Sequence, residues 1–172
     1  MVKVYTKTGD KGTTLRYNGQ RVPKDDESVI IVSLVDSLLG SLDLAIVSLT
    51  DTSKIRILES IQTKLWQTAG ELSRGSPTAK IKDEVKQKDI DELELLIDKY
   101  SIDLKHFVSF RTESAARLNE ARLRTRKLEV SLTKWLREKK VREEIYTYFN
   151  RLSDFLYVLA CDESKNNLRI IE

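Results

Sequence analysis

Tyr5-Thr6-Lys7-Thr8-Gly9-Asp10-Lys11-Gly12-Thr13-Thr14-Leu15 concentrates four threonines, two lysines, two glycines and one aspartate in a single short stretch. Such a composition makes neither a good helix nor a core strand. Gly9 and Gly12 permit positive φ and close backbone approach, so successive amide N–H groups can converge on one anion. Hydroxyls and ammonium groups add directed donors. An aspartate among so many donors suits a divalent cation riding on a nucleotide's phosphate tail. The spacing is not that of a Walker A loop, since no Gly-Lys-Ser/Thr follows four residues after a glycine. Taken alone, the same residues would also make a solvated turn.

A second group of candidate residues lies at Arg122, Arg126, Lys127 and Glu129. At about 100° per residue, Arg122, Arg126 and Glu129 share one narrow helical stripe, roughly 90° from the apolar seam. Two guanidiniums at i,i+4 repel each other, and an anion between them would remove the conflict; phosphate oxygens fit their planar forks. A solvated basic face is the other reading. Asp36 sits in the most apolar segment of the chain, where an unpaired carboxylate is costly. Arg122 is its expected partner, within the chain or across a subunit boundary. Asn150-Arg151-Leu152-Ser153-Asp154 is the third group. The Asn150 amide can donate and accept together, as adenine or ribose recognition requires, although a solvated polar face has the same composition.

Exclusions narrow the chemistry. One histidine, His106, and one cysteine, Cys161, leave no zinc cluster, no disulfide framework and no supported Ser-His-Asp triad. A net charge of +3 does not argue for nucleic acid. The N-terminus shows no signal-like apolar region, and Asp36 and Asp43 interrupt the longest apolar run. A cytoplasmic, non-membrane protein is expected.

The elements that must position these residues are helices. Only six glycines and two prolines occur in 172 residues, against abundant Leu, Ile, Lys, Arg and Glu. Apolar periodicity predicts five helices, at about Glu27–Leu49, Lys54–Ser73, Gln87–Tyr100, Thr112–Lys139 and Val141–Ser164. The first is apolar on most sides, which places it at a bundle centre or a subunit contact. Trp66 is expected inward with Leu65 on the second. Leu118, Ala121, Thr125, Leu128, Leu132 and Trp135 form a heptad seam on the fourth. Glu113–Arg117 and Glu120–Arg124 are acid-first i,i+4 pairs, worth about 0.2–0.5 kcal/mol each. The expected fold is an all-α five-helix bundle forming one domain over 1–172, with residues 1–26 as a phosphate-binding loop, 27–164 as the bundle and 165–172 as a tail.

Together the three groups resemble the PduO-type ATP:corrinoid adenosyltransferases. The family's T-x-T-G-D-x-G-x-T is matched by Thr6 to Thr14, and its R-x-P-K-D-D by Arg21 to Asp26. V-D-E-L-N-S is kept in part as Val35-Asp36-Ser37-Leu38-Leu39-Gly40. A-R-x-x-x-R-R-x-E is matched by Ala121-Arg122, Arg126-Lys127 and Glu129, and N-R-L-S-D by Asn150 to Asp154. The family's F-x-L-P-G-G is altered to Phe107-Val108-Ser109-Phe110-Arg111-Thr112, which keeps the phenylalanine and loses the turn.

The resemblance implies a ferritin-like bundle, usually a homotrimer with sites between subunits. It also implies attack of a cob(I)alamin-type Co(I) centre on C5′ of ATP. By position, Thr6, Lys7, Thr8, Gly9, Thr14, Leu15 and Lys24 would bind ATP, with Mg2+ on its phosphates. Arg126, Lys127, Glu129 and Asn150 would complete the nucleotide site. Arg122 paired with Asp36 would stabilise the leaving triphosphate, and Phe107 would face the corrinoid. A displacement of this kind needs orientation and electrostatics but no acid–base residue. A non-catalytic ATP-binding bundle and an RNA-binding helical module are the alternatives.

Overall fold

The computed structural model describes residues 5, 7–73, 85–101, 107–165 and 167–171, with Phe107 described in its backbone only. Elements follow in the order β1 (Thr13–Leu15), β2 (Arg21–Pro23), α1 (Glu27–Ser48), α2 (Thr52–Ser73), α3 (Gln87–Tyr100), β3 (Phe107–Ser109), α4 (Glu113–Arg137), α5 (Glu143–Ser164) and β4 (Arg169–Ile171). The expected all-α bundle is observed, with two small antiparallel ribbons added to it: β1 pairs with β2, and β3 pairs with β4. In the first, Thr14 lies opposite Val22; in the second, Val108 lies opposite Ile170.

Side chains at the helix starts define where helices begin. Asp26 accepts from the Ser28 amide at 2.9 Å, Asp51 from the Ser53 amide at 2.8 Å and Thr112 from the Ala115 amide at 3.3 Å. Asp26 also takes a 2.7 Å bond from Arg16, so the cap of α1 locks the β1–β2 ribbon onto the bundle. The Ser28 hydroxyl bond, followed by Arg16, holds the Asp26 carboxyl at about 2.

α4 lies between α1 and α5, α3 packs on the other side of α5, and α2 packs on α1. The open ends of this row meet where Lys64 of α2 approaches Asp89 of α3 at 3.2 Å. The heptad seam of α4 is buried along its length, as are Ile145, Phe149, Leu152, Leu156 and Leu159 of α5. At the end of the bundle, Lys54 of α2 bridges Asp162 (2.6 Å) and Glu163 of α5, and Ser114 of α4 donates to Glu163 (3.0 Å).

Two expectations about helix faces change. Trp66 is 63% exposed: Leu65 takes the core position, and its neighbour, about 100° further round, points outward. α1 is long and apolar enough by mean hydropathy to cross a bilayer despite its two aspartates. It packs against α2 and α4 through Val35, Leu38, Leu42 and Ala45, leaving Ile30, Leu44 and Val47 exposed.

Candidate functional site

The N-terminal residues form one wall. Lys7 at φ 58° and Gly12 at φ 75° curl the chain through two successive turns, with Asp10 N donating to Lys7 O and Gly12 N to Gly9 O. Lys24 N closes the curl on Gly12 O at 2.8 Å. A Cβ at Gly9 would stand 3.3 Å from Lys24 Nζ, so glycine is what lets the ammonium lie against the loop backbone. Arg21 Nη1 props the loop from below, donating to Thr8 O at 3.1 Å and Thr13 Oγ1 at 3.0 Å. Thr14, Leu15, Arg16, Ser28 and Asp36 line a cavity of about 180 Å³ between this ribbon and α1.

The second wall lies on α4 and α5. Arg122, Arg126, Asn119, Ser153, Asp154 and Tyr157 surround a cavity of about 560 Å³, which Val108 and Phe110 close on the β3 side. Asn119 Oδ1 accepts from Arg122 Nε at 2.8 Å, and the guanidinium stands 5.7 Å over the Tyr157 ring. Burial, then the neighbouring Cys161, keeps the Tyr157 phenol above its ordinary range, so it stays protonated. Beside the cavity, buried Glu129 takes a 2.7 Å bond from Arg126 Nη1 and longer ones from Asn150 Nδ2 (3.3 Å) and Tyr146 OH (3.4 Å). One carboxylate therefore orients an arginine and an amide on two different helices.

Most of the anticipated residues fall on one wall or the other. Lys7, Thr8, Gly9, Thr14, Leu15 and Lys24 belong to the ribbon wall, and Arg122, Arg126, Glu129 and Asn150 to the α4–α5 wall, while Lys127 is exposed on α4 about 140° around the helix from Arg122. Thr6 lies outside the described residues, as does the Phe107 side chain. The expected Asp36–Arg122 pair is not formed within the chain. Asp36 is exposed beside the ribbon, whereas Arg122 turns towards α5. Beside Asp36 it is Arg124 of α4 that reaches α1, donating to Ser37; it lies about 200° around the helix from Arg122. Asp36 thus escapes the desolvation cost by facing solvent. Among the described residues, no hydrogen bond or ion pair links Lys24 or Asp36 to Arg122, Arg126 or Asn150.

Sequence reasoning missed Arg16, Arg21, Asn119, Tyr146 and Tyr157. Helical spacing carried a signal for three of them: Tyr146 and Tyr157 stand four before and seven after Asn150, and Asn119 stands three before Arg122. Arg16 and Arg21 required the ribbon pairing to be known.

Fold and site together define a helical bundle with a ribbon carrying Lys7, Gly9, Gly12 and Lys24 on one face and a guanidinium-lined cavity on another. Residues 4–163 match the family model described as cobalamin adenosyltransferase, and the chain belongs to that family. It is 35% identical over 168 residues to the corrinoid adenosyltransferase PduO of Salmonella typhimurium, covering 95% of this chain and 50% of that protein. It is 35% identical over 165 residues to a corrinoid adenosyltransferase of Citrobacter freundii, covering 93% and 94%. The chain thus spans about half of the Salmonella relative and nearly all of the Citrobacter one. A phenylalanine-to-alanine variant of the PduO-type ATP:corrinoid adenosyltransferase from Lactobacillus reuteri, complexed with cobalamin and ATP, superposes with a TM-score of 0.87 at 26% identity, over 98% of each chain.

Proposed function

We propose that this chain transfers the 5′-deoxyadenosyl group of ATP to the Co(I) centre of a reduced corrinoid. Cobalt supplies the electron pair of the new Co–C5′ bond, the C5′–O bond breaks, and triphosphate leaves with that bond's electrons. The observation that carries this reading is the α4–α5 wall, where Glu129 orients Arg126 and Asn150 beside the cavity that Arg122 lines.

The chain's own groups bind and orient. The 7–12 curl and Lys24 hold the phosphates through amides and an ammonium. Arg126, Lys127 and Asn150 hold the nucleotide, with Glu129 anchoring Arg126 and Asn150. Asn119 and the Tyr157 ring hold Arg122 where its Nη groups meet charge growing on the leaving group. Magnesium would neutralise phosphate charge. Among the described residues no group of three His, Cys, Asp or Glu exists to cage it, which fits an ion held mainly by phosphate oxygens, with Thr8 and Thr14 hydroxyls at hand. On the corrinoid side, the β3–β4 pairing holds Phe107 and Val108 in place of the family's Pro-Gly-Gly turn.

The working form is a homotrimer in which the ribbon wall of one subunit faces the α4–α5 wall of the next. Three observations support it: the two walls share no residue within one chain, Asp36 is left without Arg122, and Ile30, Leu44, Leu123 and Val130 expose apolar surface on α1 and α4. Asp36 then pairs with Arg122 across the boundary, and a soluble cytoplasmic enzyme without nucleic-acid or membrane partners is the corresponding setting.

Anaerobic incubation with ATP, magnesium and chemically reduced cobalamin tests the reaction. Adenosylcobalamin formed with equimolar triphosphate is the expected result. ATP binding without that product would replace this reading with a non-catalytic nucleotide-binding bundle.

A further inference from the structure

We infer that the cleft between α2, α3 and α5 is a second ligand site, for a small uncharged molecule with an apolar body and one hydrogen-bond acceptor. The cleft encloses about 410 Å³ and shares no residue with either cavity of the nucleotide site. That volume falls in the range of small-molecule sites. It exists because α2 and α3 sit at opposite ends of the helical row and meet over α5 without packing closely.

Ile57 and Ile61 of α2 face Leu93 and Leu96 of α3 across the opening, and Tyr148 of α5 forms the floor. Tyr148 is 3% exposed, yet its hydroxyl has no hydrogen-bond partner among the described residues. The hydroxyl is not one of the polar atoms sealed from solvent without a partner, so water reaches it through the cleft and a ligand acceptor would take that water's place. The phenol points into an apolar cleft and offers one donor. Burial first, then the nearby Asp89 and Glu92, hold the phenol far above its ordinary range, so it remains an O–H donor at every physiological pH.

The charges at the rim select against an ionic occupant. Lys64 is bound to Asp89 at 3.2 Å, and Lys99 lies over the Tyr100 ring at 4.9 Å, with Glu92 beside them. Two cations and two carboxylates cancel, leaving the phenol at the floor to read polarity, with the exposed Ser60 hydroxyl at the rim open to water. A ketone, ester or ether oxygen on an aromatic or branched aliphatic body meets both requirements.

The probe is 6-propionyl-2-(dimethylamino)naphthalene, a neutral fluorophore with one carbonyl, titrated into the full chain. The expected result is saturable one-to-one binding with blue-shifted emission, unaffected by saturating ATP. Tyr148→Phe should raise its Kd roughly five- to tenfold, the loss of one hydrogen bond. The same variant should leave the melting temperature of the free protein unchanged or higher, because the hydroxyl has no partner to lose. Leu96→Trp, at a half-buried position, and Ser60→Trp, at an exposed one, should each fill the cleft and abolish binding. The proposal is overturned if binding is absent or non-saturable, if ATP displaces the probe, or if neither filler weakens it. It also fails if Tyr148→Phe binds as tightly as the parent or melts lower. Displacement of the probe by decanoate at concentrations tenfold below decanol would overturn it as well, since a lysine would then be reading the ligand. Concentration-dependent dimerisation blocked by Leu96→Trp would assign the cleft to a second copy instead.

Discussion

Replacing Glu129 with Gln changes charge while preserving shape. The carboxylate is 6% exposed and holds Arg126 at 2.7 Å, with Asn150 and Tyr146 at longer range. A hydrogen bond to a charged group contributes about 1.5–3 kcal/mol. Arg126 is 47% exposed and recovers much of its hydration when released, which lowers the expected loss to about 1–1.5 kcal/mol. For a chain of this length, that corresponds to a fall in melting temperature of roughly 3–5 °C. Arg126 and Asn150 also lose the group that orients them, so ATP affinity should fall about tenfold, the equivalent of about 1.4 kcal/mol. Thermal melts without nucleotide and calorimetric titration with ATP, both without corrinoid, separate the two effects. An unchanged melting temperature would refute the buried pairing. The expected drop in melting temperature with ATP affinity within twofold of the parent would confine Glu129 to holding the helices and remove it from the nucleotide site.

Arg122→Ala should lower turnover far more than ATP affinity, and equal losses would assign Arg122 to ground-state binding. Gly9→Ala brings a methyl to 3.3 Å from Lys24 Nζ and should weaken ATP binding severalfold by pushing the ammonium aside, an effect that vanishes in a Lys24→Ala background. If the two losses add instead, Gly9 acts independently of Lys24. Asp26, held at about 2 against an ordinary 3.8, contributes stability above about pH 4 that is lost as pH falls towards 2. Asp26→Asn should flatten the melting temperature across that acid window, and an unchanged slope would show that Arg16 and Ser28 do not hold the carboxylate.

Helix boundaries were legible because they are written in local chemistry. Periodicity alone puts α3 at about Gln87–Tyr100, where it lies, and α5 ends at Ser164 as expected. The seam of α4 was legible too, since a heptad of apolar residues has only one face to bury. The two ribbons were not: Thr13–Leu15 and Arg169–Ile171 are three residues each and too short to show a period of two. Trp66 was misplaced because an apolar type does not say which of two adjacent positions turns inward.

The candidate site divides in the same way. The sequence by itself determined which groups are available for anion binding: the glycine-threonine curl, Lys24, the stripe of Arg122, Arg126 and Glu129, and Asn150. Residue type and helical spacing suffice for that, because both are properties of neighbouring positions. Only the tertiary structure decided who meets whom. It gave Arg126 and Asn150 to Glu129, Arg122 to Asn119 and Tyr157, and Arg124 to Ser37, leaving Asp36 exposed beside the ribbon. Those choices depend on the rotation of α4 between α1 and α5, which is set by how their buried faces pack. No local pattern encodes that rotation; the curl of residues 7–12 is readable as an anion nest, but the wall it faces is a matter of packing.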